Sequence, residues 1–398
     1  MHPALDALGA YPLARFQDLA REMAADGGPL YDFSVGDPVE PTPRFIRTAL
    51  IDAVPKVSQY PTAAGLPELR SAVAAWVARR TGVRVDPDRH VLPTAGSKEA
   101  IFHLPLTLLT PGGPRDGALY GTPGYAPYER GARFASGRAD PEPLTAERGW
   151  RLHLEDLSRE RLDRAGLAWL NYPHNPTGAS ADRAYLADQL ATARDRGIAL
   201  CSDECYLDIH PADAPPPPSL LEVAAAASSA ADPDLTGVLV FVSLSKRSGM
   251  TGYRSGALIG DPELIRRNRL LRPNIGTASP EFVQRAAIAA WSDEDHVAQR
   301  RATFDAKRAV IRDFADRNGL RVSGSDAAFY VWLAAPGGDD AAYAEALLAH
   351  RVIASPGRAF GPGGEGWLRL ALVPDVAGCQ AAVERWEQAL SQGALPTD

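Results

Sequence analysis

The 398-residue chain is short of several things, and each shortage narrows what it can be. It has three cysteines, Cys201, Cys205 and Cys379, and no CxxC pair. That argues against a disulfide framework and against a cysteine zinc site, and fits reduced thiols. No apolar run approaches the ~20 residues needed to span a bilayer. The opening residues, Met1 to Asp6, carry neither a basic nor an apolar leader region. No signal peptide is therefore expected, and a cytoplasmic location is. The formal net charge of −7 argues against a general nucleic-acid binder. Lysine is scarce: Lys56, Lys98, Lys246 and Lys307 are the only four. Few side chains can therefore serve as an amine nucleophile.

What is present is ordinary in bulk and specific in pattern. With 45% hydrophobic and 23% charged residues, the composition is that of a globular protein, and the length predicts two associated domains. Pro67 to Arg80 is expected as a helix, with Leu69, Val73, Trp76 and Val77 on one face and Gly82 just past its end. Further helices are expected from Lys98 to about Leu109 and from Asp182 to Arg196. Leu167–Leu170, Ile198–Cys201 and Gly237–Ser243 read as buried strands. Short apolar strands separated by helices imply an α/β domain with a mainly parallel sheet, placed at residues 46–285. Pro211 to Asp234, with its run Pro215 to Pro218, reads as a surface loop plus a short helix. From Glu281 the texture changes to a long helical stretch, then apolar runs at 327–333 and 367–373 with helices between and after. This predicts a smaller α+β domain, residues 286–398, with residues 1–45 packed on it.

Four motifs follow or flank the predicted strands, where ligands bind in open α/β sheets. Ser243-Leu244-Ser245-Lys246-Arg247-Ser248-Gly249 puts a lysine at a strand end. Burying an unpaired ammonium is costly, and a desolvated lysine amine can form a Schiff base with an aldehyde cofactor. Ser243, Ser245 and Arg254 could bind a phosphate beside it. Alone, the motif also fits an exposed loop lysine. Cys201-Ser202-Asp203-Glu204-Cys205-Tyr206 puts an acid at another strand end. Asp203 could pair with a pyridine nitrogen and Tyr206 with a phenolic oxygen, although a strand-end acid also caps turns. Asn171-Tyr172-Pro173-His174-Asn175-Pro176-Thr177-Gly178 is a turn whose Asn175 could reach the same phenolic oxygen. Its His174 reads as polar surface rather than as a catalytic base. Ala95-Gly96-Ser97-Lys98-Glu99 opens a helix, either as an anion site or as a plain N-cap by Ser97. It is not a Walker loop, because GxxxxGK[ST] is absent. Together the four supply a covalent lysine, an acid for a ring nitrogen, phenolate donors and a phosphate cup.

In this order the motifs resemble the class I aminotransferases of the pyridoxal-phosphate (PLP) fold type I, over nearly the whole chain. The resemblance implies PLP as cofactor. It makes Lys246 the Schiff-base lysine and proton shuttle, Asp203 the partner of the pyridine nitrogen, and Tyr206 and Asn175 the ligands of the phenolic oxygen. Tyr125, in Pro123-Gly124-Tyr125, would stack on the ring, and Gly96, Ser97, Lys98, Ser243, Ser245 and Arg254 would surround the phosphate. Tyr60, in Gln59-Tyr60-Pro61, resembles the tyrosine that reaches the neighbouring subunit's phosphate, which implies a homodimer. Arg369 matches the arginine that grips the substrate α-carboxylate, and Gly36 the glycine that lets backbone approach the substrate.

The run Ser-Leu-Ser-Lys-Arg-Ser ending at Ser248 is similar to that of bacterial succinyldiaminopimelate transaminases. Tyr11-Pro12-Leu13, Ser34 to Pro43, Asp203 to Tyr206 and Ala286 to Trp291 also resemble that branch. The resemblance implies transfer of an amino group from glutamate to an oxo acid, N-succinyl-2-amino-6-oxopimelate. Arg247, Arg272 and Arg358 are candidates for binding a distal carboxylate of such a substrate. Alternatives are the same chemistry on aromatic, branched or aspartate-like amino acids, or a PLP lyase on the same fold. A transcription regulator with an aminotransferase-like sensor fits poorly, since the chain is acidic and the fold begins almost at once.

Overall fold

The computed structural model describes residues 3–6, 18, 21–23, 25, 27–226, 228 and 232–396. The Tyr11-Pro12-Leu13 stretch lies outside the described residues.

Twelve strands are described: β1 (Tyr31–Asp32), β2 (Val91–Thr94), β3 (Gly117–Thr122), β4 (Arg138–Pro143), β5 (Ala165–Leu170), β6 (Ala199–Asp203), β7 (Val238–Ser243), β8 (Gly256–Gly260), β9 (Tyr330–Ala334), β10 (Val352–Ile353), β11 (Ser355–Pro356) and β12 (Trp367–Ala371). Seven form the main sheet in the order β2-β8-β7-β6-β5-β3-β4. Its contacts are parallel except at β8, which runs antiparallel to both β7 and β2. The mainly parallel sheet expected from the sequence is therefore present. Every residue of β6 and β7 is buried, as required when helices cover both faces of a sheet. The helix Arg183–Arg196 returns the chain from β5 to β6. Asp182 caps its start by accepting the Tyr185 N–H at 2.8 Å, and Gly197 ends it.

Two expectations need correcting here. The helix expected from Lys98 to Leu109 is two pieces, Ser97–His103 and Pro105–Leu108. Pro105 has no N–H to continue the ladder and its ring crowds the preceding turn, so the chain resets there. The Pro211–Asp234 stretch is not all surface. Its helix, Leu220–Ala226, buries Leu220, Leu221, Val223 and Ala224. The short helix was expected; what the expectation missed is that its small side chains let it pack into the core.

A second apolar core lies around the three-stranded antiparallel sheet β11-β12-β9. Phe304 and Phe314 of the 23-residue helix Asp295–Arg317 join it, with Tyr343 and Trp386 from later helices. β1 pairs in parallel with β10, which ties the early chain to this core. The expected domain boundary at 285 falls inside the helix Glu281–Trp291. Ala286, Ala287, Ala290 and Trp291 of that helix pack into the main-sheet core with Trp76. We propose that the boundary lies after Trp291 instead.

Candidate active site

The C-terminal ends of β5, β6 and β7 open into a cavity of about 570 Å³. Twelve of the fourteen expected site residues line it: Gly36, Ser97, Lys98, Tyr125, Asn175, Asp203, Tyr206, Ser243, Ser245, Lys246, Arg254 and Arg369. Gly96 adjoins it through Ser97, and Tyr60 is not part of the lining. The first contributors come from adjacent strand ends, so sheet order alone brings Asn175, Asp203 and Lys246 together. Arg369 arrives from β12 of the second sheet and Gly36 from the segment after β1.

Lys246 sits in a one-turn helix, Leu244–Arg247, directly after β7. Its Nζ donates to the Gly36 carbonyl at 2.5 Å and lies 5.7 Å from the Phe329 ring centre. Loss of solvation pulls its pKa down to about 8, so a larger share of the amine is unprotonated and nucleophilic near neutrality.

Asp203 ends β6 and is buried. Its carboxylate accepts from the Tyr128 hydroxyl at 2.8 Å and the Cys205 N–H at 3.3 Å. Among the described residues no ammonium or guanidinium pairs with it, and burial pushes its pKa up. Tyr128 is held by stacking on Trp169, ring centres 4.9 Å apart. Asn171 clamps the neighbourhood: its Nδ2 donates to the Asp203 carbonyl at 2.8 Å, and its Oδ1 accepts the Asn175 N–H at 2.9 Å. Burial also keeps Tyr206 protonated well beyond the usual phenol range, and its hydroxyl meets that of Tyr330 at 2.9 Å.

Ser243 accepts the Ser245 N–H at 3.1 Å, and the two hydroxyls lie 2.9 Å apart. Ser97 Oγ accepts from the Cys205 thiol at 3.0 Å, so it is not the N-cap; Gly96 is. Gly96 has φ 77°, and a Cβ there would lie 2.4 Å from Arg254 Nη2. Only glycine lets the guanidinium lie across that backbone. Arg254 itself adopts φ 56°. A small oxyanion would fit this cup of hydroxyls, backbone N–H groups and guanidinium.

Arg369 is buried, with Nη1 donating to Asn175 Oδ1 at 2.9 Å and Nη2 to the Ser34 carbonyl at 2.5 Å. Its guanidinium carbon lies 4.4 Å from the Phe360 ring centre and 4.8 Å from that of Tyr330. At Gly36 a Cβ would lie 2.7 Å from the Tyr330 hydroxyl, so this position also excludes a side chain.

The comparisons with known proteins converge on this arrangement. Residues 29–385 match the family described as aminotransferase class I and II. The LL-diaminopimelate aminotransferase of Desulforudis audaxviator is 36% identical over 383 residues, 95% of each chain. The chain belongs to the class I and II aminotransferases. A solved aminotransferase from Neisseria meningitidis superposes with a TM-score of 0.89 at 34% identity, covering 98% of this chain and 100% of the other. A probable N-succinyldiaminopimelate aminotransferase from Thermus thermophilus does so at 0.85 and 29%, covering 95% and 100%.

Aminotransferases of this class depend on PLP, and the cavity fits that group. Asp203 is a buried carboxylate lacking a cation, which a protonated pyridine nitrogen would supply. The serine, glycine and arginine cup matches a phosphate monoester, and Lys246 faces the space between.

Sequence reasoning missed Tyr330, Phe360, Phe329 and Asn171. The first three come from the second sheet and its flanks, and no local motif announces them. Asn171 was legible only as a neighbour of Asn175. The three arginines considered for a distal carboxylate are committed elsewhere. Arg247 is buried between Trp76 and Trp291 and pairs with Asp208 (2.7 Å) and Glu294 (2.8 Å). Arg272 pairs with Glu99, and Arg358 with Asp340 (2.7 Å) and Asp339 (2.8 Å). His174 is buried rather than surface-exposed, bonds the Thr177 hydroxyl at 2.8 Å, and is held neutral by burial, its pKa down to about 3. Among the described residues no helix is long and apolar enough to cross a membrane.

Proposed function

We propose that this aminotransferase exchanges an amino group between glutamate and a diaminopimelate-class acid. The observation that carries the chemistry is a single cavity holding a cation-free buried Asp203, an under-solvated Lys246 and a buried Arg369. Bound PLP supplies an electron-withdrawing ring next to the substrate's Cα. Arg369 holds the α-carboxylate bidentately, which fixes Cα over Lys246. The Lys246 amine removes the proton from Cα and returns it on the other side of the exchange. Asp203 keeps the ring nitrogen protonated. Tyr206 and Asn175 donate to the phenolic oxygen, and Tyr125 packs on the ring. Gly96, Ser97, Lys98, Ser243, Ser245 and Arg254 hold the phosphate, and Gly36 admits the substrate's backbone atoms. Arg254 and Gly96 form one unit here, since each shapes the other's position.

A homodimer in the cytoplasm completes the proposal. Tyr60 is fully exposed, and Val39, Ile51, Val54 and Val57, near it in the chain, are exposed as well. A second copy of the chain would cover these residues and receive Tyr60 at its phosphate cup.

The diaminopimelate class rests on relatives named LL-diaminopimelate aminotransferase, at 36% and 34% identity in two organisms. A second reading, an N-succinylated substrate, rests on the Thermus neighbour and on the Ser243–Ser248 run. The test follows the visible absorbance of the PLP-loaded protein as glutamate, LL-diaminopimelate or N-succinyl-LL-diaminopimelate is added. Bleaching by glutamate and by unmodified diaminopimelate supports the first reading. Bleaching by the succinylated acid alone moves the assignment to the second, and bleaching by glutamate but neither acid discards the diaminopimelate class.

A further inference from the structure

The segment from Ser34 to Thr42 touches the lysine motif in more than one place. Gly36 accepts the Lys246 ammonium, and the Thr42 hydroxyl donates to the Gly249 carbonyl at 2.6 Å. Between these points Glu40 reaches the helix Asp295–Arg317. Its Oε1 accepts from Lys307, which is wholly buried and also donates to the carbonyls of Leu372 (3.1 Å) and Val373 (3.2 Å). Lys307 therefore anchors Glu40 firmly.

The other oxygen is unusual. Among the described residues, Glu40 Oε2 is buried and has no hydrogen-bond partner. Facing it at 3.9 Å is Arg300 Nη2, also buried and also without a hydrogen-bond partner. Two complementary charges in ion-pair contact but not hydrogen-bonded still carry a desolvation cost that a bond between them would offset. A shift of about 1 Å would bring them within hydrogen-bonding distance. The same guanidinium donates through Nε to the Lys246 carbonyl at 3.0 Å. That carbonyl lies near the end of a one-turn helix, where intrahelical partners run out.

We propose that Glu40 and Arg300 form a positioning pair for Lys246, building on the role of Lys246 given above. The Ser34–Thr42 segment also carries the Ser34 carbonyl that Arg369 grips. Glu40 steers Arg300, and Arg300 fixes the main chain from which the Lys246 amine swings. The segment thus acts on Lys246 at both ends: through Gly36 on the ammonium and through Arg300 on the backbone.

The test uses Glu40→Gln, Arg300→Gln and the double variant in the PLP-loaded enzyme, each checked by thermal melting for folding. Glutamine at 40 keeps an oxygen for Lys307 and turns an amide toward Arg300, which removes the attraction without removing the anchor. The maximal rate of the glutamate half-reaction is expected to fall about tenfold in either single variant, with the glutamate concentration at half-maximum changed less than about threefold. The double variant is expected to be no slower than the worse single one, since the residues act as one unit. Independent, multiplying losses in the double variant would overturn the pairing. A raised half-maximal concentration with an unchanged maximal rate would also overturn it, leaving the segment a role in binding alone. Loss of bleaching by every amino donor in the unsubstituted enzyme would instead strike the aminotransferase reading of the cavity.

Discussion

Two of the four lysines are enclosed by the fold, and they are held in opposite ways. Lys307 is wholly buried and saturated, with one carboxylate and two carbonyls on its ammonium. Lys246 lines the cavity with one carbonyl, an aromatic ring and, among the described residues, no carboxylate in hydrogen-bonding contact. Three acceptors surround the Lys307 ammonium, whereas desolvation at Lys246 is met by one. An ammonium meant to stay charged is surrounded by acceptors. An amine meant to react is left under-compensated, and its proton affinity falls accordingly.

These environments predict four measurable outcomes. The largest effect belongs to Lys246→Ala. Loss of the amine that moves the Cα proton is expected to slow amino transfer by about 10²–10⁴-fold. The visible band that the amine produces with bound cofactor should vanish, while the melting temperature holds. Retained transfer at more than a tenth of the normal rate would mean that another group carries the proton. Next is Lys307→Met, which strands Glu40 in the interior. It is expected to cost about 3–5 kcal/mol of stability in denaturant titrations, with the cofactor band intact in the folded fraction. A loss below 1 kcal/mol would show that the anchor is weaker than its three acceptors suggest.

A third test uses pH. Below about 8 the Lys246 amine is mostly protonated and cannot attack an aldehyde. The rate at which cofactor-free protein takes up PLP should therefore rise about tenfold per pH unit up to about 8, then level. A profile flat from pH 6 to 9 would contradict the desolvated amine. The smallest effect concerns a buried carboxyl that neighbours Asp203. Burial raises the Glu204 pKa to about 7, against an ordinary value of 4.5. A raised carboxyl pKa means the folded state holds the proton more tightly. The stability this contributes is present at low pH and is lost as pH rises from about 4.5 to 7. Glu204→Gln should then gain about 2–3 kcal/mol on the parent between pH 5 and pH 8. An equal offset at both pH values would remove the titration from the account.

The parallel sheet and the lysine, acid and asparagine motifs were legible because each sits within a few residues of an apolar strand. Strand order then brought them together, and no long-range knowledge was needed. Arg369 and Gly36 were legible only through family resemblance, since nothing near them marks a binding role. The arginines show the limit from the other side. Arg247 looked available in the sequence beside Lys246, but its partners Asp208 and Glu294 lie 39 and 47 residues away along the chain. Ion pairs at that range leave no local signature. Helix ends failed for a related reason at Pro105, where a familiar breaker was read through because apolar residues continued past it.

The grip on Arg369 joins it to Ser34 across 335 residues of chain. A ribosome reaches Lys246, Asp203 and the phosphate cup well before it reaches Arg369. A chain that stalls in between, or loses its last strand to a protease, holds most of the parts for taking up cofactor and lacks the side chain that selects an amino acid. Loss of that strand also removes Leu368, Leu370 and Ala371 from the second core, so the grip on Ser34 and the packing beneath it are lost together.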